Sequence, residues 1–143
     1  MATDCIFCKI AQGEIPARKV YEDENVLAFL DLSQVTPGHT LLIPKKHVKN
    51  IFEYDEATTQ AVFSVVPKIA RALRAFDPKV KGLNIINNNE KVAFQSVFHS
   101  HIHFIPRYSE ADDFGLKWAH NEDKYTDEQL DELQQMIQEK MEE

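Results

Sequence analysis

Three histidines at alternate positions, His99, His101 and His103, lie in the apolar stretch Val97 to Ile105. Side chains alternate along an extended chain, so these three share one face, about 6.6–6.8 Å apart. Phe98, Ser100, Ile102 and Phe104 share the other. A row of this kind is open to three readings. It can be a polar strand face with no chemistry. Two imidazoles on one face can reach a single metal ion. Or one imidazole can act as a nucleophile while its neighbours position substrate and move protons. The strand alone does not choose between the last two. A second pattern, Cys5-Ile6-Phe7-Cys8, holds two thiols three residues apart. A chain without a secretory signal argues against a structural disulfide, and a thioredoxin-like pair needs a βαβ setting that is absent here. An inert buried pair, or half of a closed tetrahedral zinc site with two further ligands, remains.

Positioning these groups requires a framework, and the periodicity predicts one. Val26 to Leu32 is short and apolar after the turn-like Glu22-Asp23-Glu24-Asn25 and reads as a strand. After Thr36-Pro37-Gly38, His39 to Ile43 reads as its antiparallel neighbour. From Asp55 to Phe76, Ala61, Val62, Val65, Val66, Ile69, Ala70, Leu73 and Phe76 recur at helical spacing. Pro67 lies inside that run, and an interior proline costs about 3 kcal/mol, so one long, kinked helix is expected. Gly82 to Asn87 and Val97 to Pro106 read as two more strands, joined by the polar loop Asn88 to Gln95. Thr126-x-x-Gln129 is a capping box opening a helix at about 126–142, whose stripe is Leu130, Leu133, Met136, Ile137 and Met141. Strands and helices interleave without a βαβ rhythm, so the expected class is α+β with an antiparallel sheet.

The chain has 143 residues and a net charge of −7, enough for one domain that needs neither disulfide nor metal merely to fold. Its charge is uneven. Residues 109–143 carry twelve acids and three bases, net −9, whereas the first 108 residues are net +2. No apolar run approaches the roughly 18 residues of a membrane span, and no secretory signal opens the chain; a cytoplasmic, membrane-free protein is expected. No basic cluster suits a nucleic-acid backbone.

His99-Ser100-His101-Ile102-His103-Phe104-Ile105 resembles the HxHxHxx signature of the histidine-triad (HIT) family of nucleotide hydrolases and transferases. Asp4-x-Ile6-Phe7-x-Lys9-Ile10, Glu14-Ile15-Pro16-Ala17, Phe29-x-Asp31, Pro37-Gly38-His39 and Ile43-Pro44-Lys45-Lys46-His47 resemble family segments in family order. The resemblance implies a HIT domain over 1–108, followed by an acidic segment, 109–143, whose helix packs on the same domain. It implies that His101 attacks the α-phosphate to form a nucleotidyl-histidine, with its other ring nitrogen held by a main-chain carbonyl. His103 would donate to phosphoryl oxygens, and Ser96 and Gln95 would hold the scissile phosphate and leaving group. Asn88 resembles the phosphate-binding asparagine and Asp31 the carboxylate that takes both ribose hydroxyls. Phe7, Ile10, Ile15 and Phe29 resemble the base slot, and His39 a histidine beside the triad.

By the same resemblance Cys5, Cys8, His47 and His99 would hold one structural zinc per chain, with no organic cofactor. The substrate would be a purine nucleoside monophosphate conjugate, such as a phosphoramidate or dinucleoside polyphosphate, and the chain a homodimer. The rival from another class is a nucleotide-binding interaction module with vestigial catalysis. Two departures stand out. Glu90 and Phe94 occupy loop positions where the family commonly has glycine, and Ser100 replaces a usually apolar residue.

Overall fold

A computed structural model describes residues 4–142. Five strands form one antiparallel sheet: β1 (Lys19–Glu22), β2 (Val26–Leu30), β3 (Thr40–Pro44), β4 (Gly82–Asn87) and β5 (Ile102–Arg107). Their spatial order is β1-β2-β3-β5-β4, so β5 inserts beside β3 and leaves β4 at the edge. A helix, α1 (Ile6–Ala11), covers one face; α2 (Glu56–Phe63) and α3 (Val66–Ala75) cover the other.

β2 and, after Thr40, β3 are apolar at every position because both of their faces are covered. Val26, Ala28 and Leu42 meet Val62, Ile69 and Leu73 of the two helices, together with Ile102 and Phe104 of β5. Leu27, Phe29, Leu41 and Ile43 meet Phe7 and Ile10 of α1 on the opposite side. The α+β class and the antiparallel sheet agree with the sequence reading.

Three expectations need correction. The long kinked helix is two helices, broken at Ser64–Val65, with Pro67 in the first turn of α3. At that position the missing N–H costs nothing and the fixed φ suits a helix start. The strand expected from Val97 begins only at Ile102. His99 to His101 precede the ladder because their polar groups are taken elsewhere: the Ser100 N–H donates to Val48 O at 2.7 Å and the His99 ring bonds Pro44 O.

The third correction concerns α4 (Asp127–Met141). Its capping box forms as expected, with the Gln129 N–H donating to Thr126 Oγ1 and the Thr126 N–H to Gln129 Oε1. No residue of α4 is buried, so the expected packing of this helix on the same domain is absent. Capping and stripe are local properties, whereas docking depends on where the preceding segment leads.

Candidate active site and metal centre

Facial alternation survives without the ladder. Ser100, facing away from the histidines, is buried with its Oγ 2.8 Å from the Tyr54 hydroxyl on the helix side. On the other side the rings of His101 and His103 lie 5.1 Å apart, and Phe7 stands edge-on to His99 and His101 at 5.9 and 5.1 Å.

His101 is the best-defined group. Its Nδ1 lies 2.8 Å from His99 O. A carbonyl only accepts, so Nδ1 carries the proton and Nε2 keeps its lone pair. The ring is buried and lines a cleft of about 340 Å³. Burial pushes the His101 pKa below the ordinary histidine value, against the pull of its bond to His99 O and of Asp31. His103 is pushed down to about 4, first by burial and then by the neighbouring His101 and His39. Both rings are therefore neutral at pH 7. A depressed folded-state pKa favours folding above the unfolded value and loses that contribution as pH falls towards the folded value. The window for His103 runs from about 6.5 down to about 4. Activity should hold through pH 6.5 and fall only at lower pH, alongside thermal stability. An acid limb of kcat/KM at or above 6.5 would contradict neutral rings.

Behind His103 stands His39, which the turn at Gly38 (φ +99) brings in. A Cβ at Gly38 would lie 2.9 Å from the tip of the exposed Phe76 ring, which would have to move aside, and the positive φ itself favours glycine. His39 Nε2 is 2.9 Å from His103 Nδ1 and 3.7 Å from Asp31 Oδ2. Its Nδ1 meets Ser33 O at 3.2 Å and the Val35 N–H at 3.4 Å. The pair thus has two proton arrangements. With Nδ1–H of His39 donated to Ser33 O, His103 presents a bare Nε2 to the cleft. With His39 accepting from Val35 and donating to His103, it presents Nε2–H.

The cleft gathers most of the expected ligand-contacting residues: Phe7, Ile10, Ile15, Phe29, Asp31, Ser96, His101 and His103. Asp31 caps its own turn by accepting the Ser33 N–H, and its Oδ2 remains on the cleft side with His39. Asn88 and Gln95 are not among the lining residues. Gln95 is buried and fully engaged: its Nε2 donates to Lys49 O and Val97 O, and its Oε1 accepts from the Glu90 N–H and Asn50 Nδ2. These bonds make it a fastener of the loop and leave no group for a leaving group. Gln95→Ala should therefore cost about 2–3 kcal/mol in urea unfolding; unchanged stability with impaired turnover would restore the direct role.

Sequence reasoning passes over Asn87, whose Nδ2 donates to His101 O at 2.9 Å and anchors the backbone of the central histidine. Its only signal is its place as the last residue of β4, opposite Ile102. Arg18, at the cleft rim, is likewise unsignalled. The loop also explains the two missing glycines. Glu90 and Phe94 have φ of +80 and +70, a conformation glycine adopts freely, at a cost of about 1–2 kcal/mol for other residues. Glu90 is held by Asn50 and Lys49; Phe94 is exposed.

The second centre lies behind the triad. Cys5 Sγ is 3.3 Å from His99 Nδ1, Cys8 Sγ is 3.2 Å from His47 Nδ1 and 3.5 Å from His99 Nδ1. All four donor atoms lie within 4.8 Å of one another. Tetrahedral zinc with its usual bond lengths separates sulfur and nitrogen ligands by about 3.5 Å. The other nitrogen of His99 donates to Pro44 O at 2.7 Å, which presents Nδ1 as a lone pair. Burial and the adjacent Cys5 thiol push the Cys8 thiol up to about 11, as expected when two thiols share a pocket without a cation. The donor set fits a divalent metal ion.

Fold and site together define a small α+β domain that sets two neutral histidines, the buried His101 and the part-buried His103, on the wall of a largely apolar cleft. The chain belongs to the HIT family: the family's HIT domain matches residues 12–110. It is 54% identical over 137 residues to the Protein hit of Bacillus subtilis, covering 95% of this chain and 93% of that one. A crystal structure of a HIT family protein from Bacillus anthracis superposes with a TM-score of 0.93 at 51% identity, covering 98% and 99%. An adenosine 5'-monophosphoramidase of Candida albicans is 36% identical over 117 residues, 80% of this chain and 77% of that one. A zinc-bound histidine triad family protein from Mycobacterium smegmatis superposes with a TM-score of 0.72 at 36% identity, covering 93% and 97%.

Proposed function

We propose that this chain hydrolyses conjugates of a purine nucleoside monophosphate through a covalent intermediate on His101 Nε2. The observation that carries the reading is the Nδ1–H bond of His101 to His99 O, which leaves an unprotonated Nε2 on the wall of the cleft. Base and ribose would lie among Phe7, Ile10, Ile15 and Phe29, with Asp31 accepting from the ribose hydroxyls. Nε2 would attack the α-phosphorus as its bond to the leaving amine or phosphate breaks. The new positive charge on the ring spreads towards the His99 carbonyl. The arrangement of the His39–His103 pair that presents Nε2–H supplies a donor for the phosphoryl oxygens or leaving group. Ser96 adds a hydroxyl at the same wall, and Asn88 a side-chain amide from the adjoining loop. Water then cleaves the phosphorus–nitrogen bond and regenerates the neutral ring. That the Candida albicans relative is an adenosine 5'-monophosphoramidase supports this reaction class.

Zinc is the metal we assign to Cys5, Cys8, His47 and His99, one per chain. When bound it supplies a cross-link between α1, the segment after β3 and the first histidine of the row, and leaves His101 free. The zinc-bound relative supports this choice. The open edge at β4, where Ile85 is exposed, supports a homodimer. Among the described residues no helix is long and apolar enough to cross a membrane, and we place the protein in the cytoplasm.

The test is a panel of adenosine and guanosine phosphoramidates, dinucleoside polyphosphates and nucleotide sugars, each measured as kcat/KM. Phosphoramidates should lead by at least about tenfold. Nucleotide binding with no turnover of any member would identify an interaction module instead.

A further inference from the structure

Phe94 stands in a backbone conformation that its own side chain disfavours. Its φ of +70 lies in the left-handed region, and Glu90, at the start of the same turn, has φ +80. For a bulky residue this conformation costs free energy and persists only where the surrounding structure imposes it. Burial within the chain does not offset that cost, because the Phe94 ring is 85% exposed. An exposed aromatic at a position glycine would occupy without strain points to a contact made outside the chain.

The turn that carries it is rigid. The Phe94 N–H donates to Lys91 O at 3.0 Å, the Ala93 N–H to Glu90 O at 3.0 Å and the Gln95 N–H to Glu90 O at 3.1 Å. The Glu90 carboxylate accepts from Asn50 Nδ2 at 2.7 Å and pairs with Lys49 Nζ at 3.2 Å. On the other flank the Gln95 amide is fixed to Lys49, Asn50, Glu90 and Val97. Phe94 is therefore held from both sides, so little backbone ordering remains to be done when a ligand meets its ring.

Its place beside the cleft follows from the chain. Ser96 lines the cleft together with His101 and His103. Two residues of chain span at most about 7 Å, so Phe94 and Ser96 are no further apart than that at Cα. Gln95 between them is turned inward and buried, whereas Phe94 and Ser96 are both exposed. With base and ribose among Phe7, Ile10, Ile15 and Phe29, the group cut from the phosphorus lies towards Ser96, and Phe94 stands just beyond it.

We propose that Phe94 is a specificity residue for the leaving group, its ring receiving an aromatic substituent on the amine released from the α-phosphorus. The inference rests on the nucleotide reading above and names the substrate class within it, phosphoramidates of arylalkylamines. Phe94 moves no proton and forms no bond. It acts by removing apolar surface of the substituent and of its own ring from water.

Two adenosine phosphoramidates test it, one of ethylamine and one of 2-phenylethylamine, which differ only by a phenyl ring and release alkylamines of similar basicity. In the wild type, kcat/KM for the phenylethyl conjugate should exceed that for the ethyl conjugate by about fivefold or more. Phe94→Gly should bring that ratio to about one without lowering Tm, because glycine takes a positive φ freely. Phe94→Tyr, which keeps the ring face, should keep the preference. A wild-type ratio near unity would overturn the inference. So would a ratio that survives in Phe94→Gly, including equal losses on both conjugates, since a residue that only shapes the loop would act on both alike. Turnover without preference would leave the nucleotide reading standing, whereas no turnover of either conjugate by the wild type would overturn both.

Discussion

Replacing His101 with alanine is expected to lower kcat by at least about 10⁴-fold, the scale seen when a covalent nucleophile is removed. Mass spectrometry of the wild-type protein quenched during turnover should show a nucleotide adduct on His101, and the variant should show none. Nucleotide binding, read by calorimetry with the monophosphate, should survive, because the apolar slot and Asp31 lie on other elements. Phe7 loses an edge-on partner 5.1 Å from its ring, so some loss of thermal stability accompanies the change. A fall in kcat of less than about tenfold, or an adduct that persists, would remove His101 from the chemistry. Asn87→Ala should behave differently. It releases the bond to His101 O and the one its Oδ1 accepts from Asn89 Nδ2, leaves the nucleophile in place and acts by positioning, so it should lower kcat while leaving the adduct detectable.

The second large effect concerns the metal. Protein purified without a histidine tag should contain close to one zinc per chain, and Cys8→Ser should contain far less. A site held a thousandfold above its dissociation constant stabilises the fold by about 4 kcal/mol, which in a chain of this length corresponds to roughly 10–15 °C in Tm. Cys8→Ser, or chelation of the wild type, should lower Tm by that amount. Well below Tm, chelation should leave kcat nearly unchanged, because His101 is not among the four donors. Loss of turnover on chelation, regained with zinc at constant stability, would assign the ion to the chemistry. Zinc far below one per chain and indifferent to Cys8→Ser would remove the centre.

Several features are readable from residue types alone. The alternation of His99, His101 and His103 places their rings on one side even though the ladder starts at Ile102, since alternation follows from extended backbone and not from pairing. The Thr126–Gln129 capping box forms because its two bonds span three residues. Pro67 was legible as a disturbance, but its outcome was not. A kink and a break differ in whether the packing of Val62, Ile69 and Leu73 on one sheet face tolerates a straight axis, and that is a property of the assembled core.

Gln95 shows the same limit at the site. Its type and place in the loop suit a phosphate contact, yet its amide is wholly used by Lys49, Asn50, Glu90 and Val97. Those partners are brought together by the fold from positions up to 46 residues away. The strain at Glu90 and Phe94 is legible only as an odd choice of residue until the positive φ values explain it.

What residue types and spacing carried is local and periodic: four of the five strands, the helical stretches at 55–76 and 126–142, their polar and apolar faces, the family and the identity of the chemical groups, whereas α1 and β1 went unread. Tertiary structure decided which groups meet. The proton on His101 sits at Nδ1 because a carbonyl two residues away faces it. Four donors from three separate segments converge within 4.8 Å. The stripe of α4 is as apolar as the sequence implies, yet it is left uncovered. Periodicity specifies that a face must be covered, but only the path of the chain through space determines what covers it.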